Sequence, residues 1–257
     1  MIGLWNQDLS LMENTIYPGM ARQMVLSREM GLIANNMANL NTPAFKLNAL
    51  LQTETVRTPE SPRLQNAAPL SMVADMAVVR DTAQGSLRQT GNNLDIALQG
   101  EGYLVVGSNG GPRYTRNGHL ALSADRQLVD INGLPVLDRD NQPIAIPDNA
   151  GDLAIAKDGT ISGDAGQIAQ IRVVQFTDEH GVVPLGGGLH VSNDLPEDAT
   201  DTQILQGQLE ESNVKAILEM TRLIDVTRSY TSIASFLKDE QERQRSAIQR
   251  LSGTQSS

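Results

Sequence analysis

Residues 26–40 read LSREMGLIANNMANL. Leu26, Met30, Ile33, Met37 and Leu40 recur at alternating spacings of four and three, which places them on one face of a helix as a heptad seam. Beside the seam runs a line of small residues, Ser27, Gly31, Ala34 and Ala38, where a neighbouring surface can approach closely. Asn41-Thr42-Pro43 stops the helix. Upstream, Ser10-Leu-Met-Glu13 fits a capping box. Tyr17-Pro18-Gly19 predicts a kink or a fresh start, because proline removes a helix donor and disfavours the helical state of the residue before it.

The far end of the chain carries a second seam. Met220, Leu223, Thr227, Tyr230, Ala234 and Leu237 step by three and four, and Val226 and Ile233 widen the stripe. Gln241, Gln244, Ile248 and Leu251 continue the register as the seam turns polar. Ser212 or Asn213 is the expected cap. A helix over 212–251 would reach about 60 Å, longer than a domain of this size needs.

Between the ends, turn signals recur at short intervals: Asn117-Gly118, Asn132-Gly133, Asp158-Gly159, Gly163, Gly181 and Gly186–Gly188. Short apolar runs lie between them, such as Tyr103–Val106, Leu128–Ile131 and Ile168–Phe176. That pattern predicts an antiparallel meander, sandwich or barrel. The expected fold is α+β. Long N- and C-terminal helices pair as a coiled-coil-like helical domain, and an all-β, meander or barrel-like domain is inserted between them. The expected divisions are an N-terminal helical segment over 1–41, an extended connector with possible strands over 42–91, a β domain over 92–205 and a C-terminal helical segment over 206–257.

Composition narrows the function. The chain has 257 residues, 20 basic and 30 acidic, for a net charge of -10. That balance argues against a general nucleic-acid binder, which would need a basic face, and against docking on anionic lipid. There is no cysteine, which excludes disulfides, thiolate nucleophiles and cysteine-based zinc sites. Residues 1–15 lack the basic and apolar regions of a cleaved signal, and no run is long and apolar enough to span a membrane.

Nothing in the sequence assembles into a catalytic or metal site, so no enzyme activity, cofactor or small-molecule substrate is expected. His119, His180 and His190 are isolated, with no helical His pair. Asp138-Arg-Asp140-Asn-Gln142 begins like a calcium loop, but Pro143 and Asn149 stand where glycine and glutamate are needed. Ser235-Phe-Leu-Lys238 matches Ser-x-x-Lys without the rest of that constellation.

Three stretches together resemble bacterial flagellar axial proteins. Ile33–Lys46 is similar to their Ala-Asn-Asn…Asn-Thr-x-Gly-Phe-Lys signature, carried by Ala34, Asn35, Asn36, Asn39, Asn41, Phe45 and Lys46. Leu94–Tyr103, Tyr114-Thr-Arg-Asn-Gly118 and Gly133–Val136 resemble the start of their β domain. Leu209–Val214, including Ser212, Asn213 and Val214, with Glu219-Met220 and Arg228-x-Tyr230, is similar to their C-terminal helix. Within this group the chain looks most like the basal-body rod proteins of the proximal kind. Distal rod proteins are the near alternative, and hook proteins stand further off.

The resemblance implies a structural subunit that is exported without cleavage by the flagellar type III apparatus. It implies assembly with copies of itself and other rod proteins in the part of the basal body that crosses the periplasm. The seam residues Leu26, Met30, Ile33, Met37, Leu40, Met220, Leu223, Tyr230, Ala234 and Leu237 are the expected subunit interface. The chain departs from the signature at Pro43 and Ala44, so the turn before Phe45 need not use a positive φ. A monomeric α-β binding module or adhesin is the alternative of a different class, and it would fold its helices together within the monomer.

Overall fold

The computed structural model describes residues 5–57 and 70–253, with side chains at 17–52, 77–179, 181–246 and 249. The chain divides into two compact units: Met1–Met37, Asn48–Val79 and Ala216–Ser257 form one, and Ala38–Leu47 with Arg80–Lys215 form the other.

The first unit holds two helices, α1 (Trp5–Ala38) and α2 (Ala216–Gly253), and a two-stranded sheet of β1 (Asn48–Arg57) and β2 (Leu70–Arg80). Helix α1 is continuous from Trp5, so Ser10 lies inside it rather than at its start, and Pro18 does not break it. The turn beside the proline is braced from outside. A Cβ on Gly19 would lie 2.8 Å from Leu237 Cδ2, so glycine lets α2 seat directly against that turn. Helix α2 begins at Ala216, beyond both expected caps. Ser212 Oγ accepts from the Val214 amide (3.2 Å), and the Asn213 side chain is engaged elsewhere.

The coiled-coil-like pairing expected from the two seams is not what forms. The molecule has these two terminal helices and a largely β body of several sheets. Where α1 and α2 meet, Leu26, Ile33 and Val226 are buried together, with Met30, Met37, Leu223, Tyr230 and Ile233 half-buried against them. Two features interrupt a sustained seam. Met220 is on the outer side of α2 at 52 % exposure, while Glu219 and Asn36 are buried in its stead. Part of the α1 face is also given to β1, through Arg22 to Gln52 (3.0 Å) and Asn36 to Asn48.

The second unit is built from short strands, as its turn signals require. Its largest sheet is antiparallel and six-stranded, in the order Val183–Gly186, Leu189–Val191, Arg113–Thr115, Tyr103–Val106, Val173–Gln175, Glu197–Asp198. A three-stranded sheet (Ala154–Ile155, Thr160–Gly163, Gly166–Gln170) and three two-stranded ones complete it. The strand Tyr103–Val106 is buried on both faces, because successive side chains point to opposite sides. Leu104 and Val106 enter a large aliphatic core with Ile96, Leu98, Leu128 and Ile144. Tyr103 and Val105 enter a second core with Tyr114, Val174, Phe176 and Val182.

His190 borders this second core, with its ring centroid 5.5 Å from that of Tyr103. Burial, reinforced by the Arg80 guanidinium, lowers its pKa from 6.5 to about 4. Between those values the unfolded chain takes up a proton that the folded chain refuses. Stability is therefore full above about pH 6.5 and falls as pH drops toward 4, by about 2–3 kcal/mol in all. His190→Phe is expected to remove that part of the acid slope, read from urea midpoints at about pH 7 and about pH 4.5. An unchanged slope would assign the acid sensitivity to other groups.

Candidate functional site: the helical faces and the buried polar ties

The residues of the N-terminal signature divide by role. In the first unit, Asn36 is buried and makes three hydrogen bonds. Its Nδ2 donates to the Asn48 carbonyl (2.9 Å) and to Glu219 Oε2 (3.0 Å), while its Oδ1 accepts from the Asn48 amide (3.0 Å). One carboxamide thus ties α1 to both β1 and α2, and it supplies the buried Glu219 carboxylate with a donor. Two turns earlier on α1, Glu29 Oε1 accepts twice from Arg222, at 2.9 and 3.1 Å. Ala34 and Asn35 are exposed.

In the second unit, Glu210 is the centre. Its side chain has no exposure, and it accepts from Lys46 Nζ (2.6 Å), Arg116 Nε (2.7 Å) and the Gly85 amide (3.0 Å). Lys46 also donates to the Ala83 carbonyl (2.8 Å), and Arg116 reaches the carbonyls of Gly102 and Gly100 at 2.9 and 2.6 Å. Burial lowers the Lys46 pKa from 10.5, opposed by the hydrogen bond and charge of Glu210. Asn213 accepts from the Leu47 amide (2.7 Å) and donates to the carbonyls of Asp81 and Ala83, both at 3.0 Å. Gly118 allows the main chain to pass Ile96, whose carbonyl oxygen would sit 1.8 Å from an added Cβ. These contacts bind together segments far apart in sequence and offer no reacting group.

Ala44 takes a left-handed conformation without a glycine. It has φ of 57°, and its amide donates to the Glu210 carbonyl at 2.8 Å. A Cβ in that region costs about 1 kcal/mol or more. Ala44→Gly is expected to stabilise the chain by about 1 kcal/mol in urea denaturation. A loss of stability would mean that the methyl group packs usefully.

The expected interface residues are likewise split. Leu26, Ile33 and Leu237 are buried; Met30, Met37, Leu40, Leu223, Tyr230 and Ala234 are half-buried; Met220 is exposed. Asn41 and Arg228 are exposed, Phe45 and Ser212 are half-buried, and Val214 is buried. Asn39 Oδ1 accepts from Thr42 Oγ1 (3.1 Å) in the turn after α1. Glu210 and Arg116 were not singled out from the sequence, although both stand within stretches that carry the family likeness.

The candidate chemical groups are engaged in local structure. His119 Nδ1 is 2.7 Å from Asp95 Oδ1. Asp138 Oδ1 accepts from the amides of Asp140 and Gln142 in its own turn, at 2.9 and 2.8 Å. Ser235 Oγ donates to the Ser232 carbonyl (2.8 Å). The His180 side chain lies outside the described residues. Among the described residues no group of three His, Asp or Glu is placed to hold a metal, and no helix is long and apolar enough to cross a membrane.

Comparison with known proteins agrees with the order of these parts. Residues 97–163 match the model of the flagellar hook protein FlgE/F/G D1 domain, and residues 205–250 match that of the flagellar basal body rod FlgEFG protein C-terminal region. The flagellar basal-body rod protein FlgF of Caulobacter vibrioides is 38 % identical over 242 residues, an alignment covering 93 % of this chain and 98 % of that protein. FlgF of Rhizobium meliloti is 30 % identical, with coverage of 95 % and 100 %. FlgG of Agrobacterium fabrum is 31 % identical, with coverage of 77 % and 84 %. With likeness running through both helices and the β body, the chain belongs to the flagellar basal-body rod protein family, in which it is most like FlgF.

Proposed function

We propose that the chain is a structural subunit of the flagellar rod which assembles with copies of itself and with other rod proteins through its two terminal helices. The observation that carries this is the alignment with FlgF over nearly the whole length of both chains. In this reading the terminal helices α1 and α2 form the inner part of the rod. The β region 92–205 makes lateral contacts, and 42–91 connects the two. The chain reaches the periplasmic part of the basal body through the flagellar type III export apparatus, and no step requires a catalytic centre.

The pairing of α1 with α2 within one chain is also what a monomeric binding module would show. The exposed apolar residues that both helices retain, Tyr17, Met20 and Met24 on one and Ile217, Met220 and Ile224 on the other, favour the assembling subunit. The test is deletion of the gene in its own host. Electron microscopy is expected to show basal bodies without complete rods, with rods and swimming restored by the gene supplied in trans. Complete rods in the deletion strain would overturn the proposal.

A further inference from the structure

Two exposed faces of the first unit are matched to each other in size and charge. Level along the helix pair is set by three contacts: Asn36 with Glu219, Met30 Sδ with Thr227 Oγ1 (3.8 Å), and Gly19 with Leu237. The helices therefore run antiparallel, and each position on one has a counterpart height on the other. On the outer side of α2, Ile217, Met220 and Ile224 form a ridge, exposed by 79, 52 and 52 %. Near the corresponding heights the outer side of α1 carries a line of small residues, Ala34 and Gly31 and, one turn on, Ser27, all exposed, with Asn35 and Arg28 exposed beside it. Further along the pair the sizes reverse. Met24 and Met20 project from α1, exposed by 69 and 51 %, where α2 offers Thr231 and Ser235.

Gly31 gives the decisive contrast with Gly19. At Gly19 the Leu237 side chain seats where a Cβ would be, its Cδ2 2.8 Å from that position. At 31 no atom of the described residues outside the helix's own backbone lies within 4 Å of an added Cβ, so contacts among those residues do not call for a helix-weakening glycine there. The charges match as well. Arg28 lies beside the small stretch of α1 and Asp225 beside the ridge of α2, about 3 Å apart in height at 1.5 Å per residue. Both are exposed, and neither has an ion-pair partner among the described residues.

We infer that the outer face of α2 in one subunit packs on the outer face of α1 in a second copy of this chain. The Ile217–Ile224 ridge lies over Gly31 and Ala34, Met20 and Met24 lie over Ser235 and Thr231, and Asp225 pairs with Arg28. The contact uses two different faces, so each copy leaves one of each free and addition continues head to tail. This deepens the proposed helical assembly and rests on it.

The natural absence of cysteine allows a clean test. Gly31→Cys and Ile224→Cys are combined in the full chain, expressed as the sole copy in a flagellated host, and isolated basal bodies are oxidised. Covalent multimers of this chain are expected from the double variant and none from either single variant. Assembled rods without multimers, a disulfide closed within one chain, or a bond to a different rod protein would each overturn the inference. Charge exchange keeps it testable if the cysteine pair fails to assemble. Arg28→Glu and Asp225→Arg are each expected to reduce swimming at least several-fold, and together to restore most of it; no rescue overturns the pairing. Gly31→Leu is expected to leave the melting temperature of the purified chain unchanged or higher while abolishing rods, and normal rods with it would also overturn the inference. Failure of the underlying reading looks different: rods would then assemble normally with Val226→Asp, which breaks the helix pair itself.

Discussion

Glu210→Gln is expected to lower the stability of the second unit by about 3–5 kcal/mol, the usual cost of removing one partner from a buried ion pair. The wild-type carboxylate is fully enclosed and answers two cations, Lys46 and Arg116, which are themselves only 9 and 7 % exposed. A neutral amide would leave both positive charges buried without compensation, and its NH2 group would point a donor at groups that can only donate. The neighbouring residue is the control. Glu211 pairs with Arg88 at 3.0 Å, but the two side chains are 44 and 57 % exposed, so Glu211→Gln should cost less than about 1 kcal/mol. Urea denaturation of the two variants side by side measures the contrast. Equal effects would mean that the enclosed cluster contributes no more than a surface pair.

Val226→Asp is the second large effect. Val226 is buried together with Leu26 and Ile33 in an apolar cluster. A carboxylate there is either desolvated or forces the helices apart, at a cost of several kcal/mol. Circular dichroism of the purified chain should show loss of helical signal at a lower temperature, while the β body keeps its own transition. Rods should be absent in the host. Ser232→Asp, on an exposed position of the same helix, should leave the helical transition within about 0.5 kcal/mol of the parent. Retention of a normal helical transition by Val226→Asp would show that this contact does not hold the pair.

Both long helices were legible in the sequence because their apolar residues recur every three or four positions over many turns. The short strands were legible because Asn-Gly and Gly signals mark nearly every turn. What the periodicity did not convey was which of two adjacent stripes goes inside. On α2 the periodic seam includes Met220, whereas the buried line runs through Glu219 and Val226. A glutamate does not register as a core residue until the Asn36 that satisfies it is known, and that partner lies 183 residues away. Pro18 misled for a related reason. Its local penalty is certain, but the seat of Leu237 on Gly19 that braces the turn is a tertiary contact. Glu210, Lys46 and Arg116 had the same character: each sat in a stretch that resembled the family, yet only folding shows that they share one carboxylate.

The hydrogen bonds of Asn36 distribute tolerance to change very unequally between their two ends. Its carboxamide presents a donor and an acceptor side by side and meets the amide and carbonyl of Asn48 much as one nucleobase edge meets another. Position 36 is therefore specified to the atom. Aspartate lacks the donor, leucine lacks both groups, and glutamine carries the amide one methylene too far. Position 48 is specified hardly at all, because what is recognised there is main chain, and every residue type except proline supplies it. A search for the partner of Asn36 by correlated substitutions would accordingly find no signal at 48, although the two residues touch.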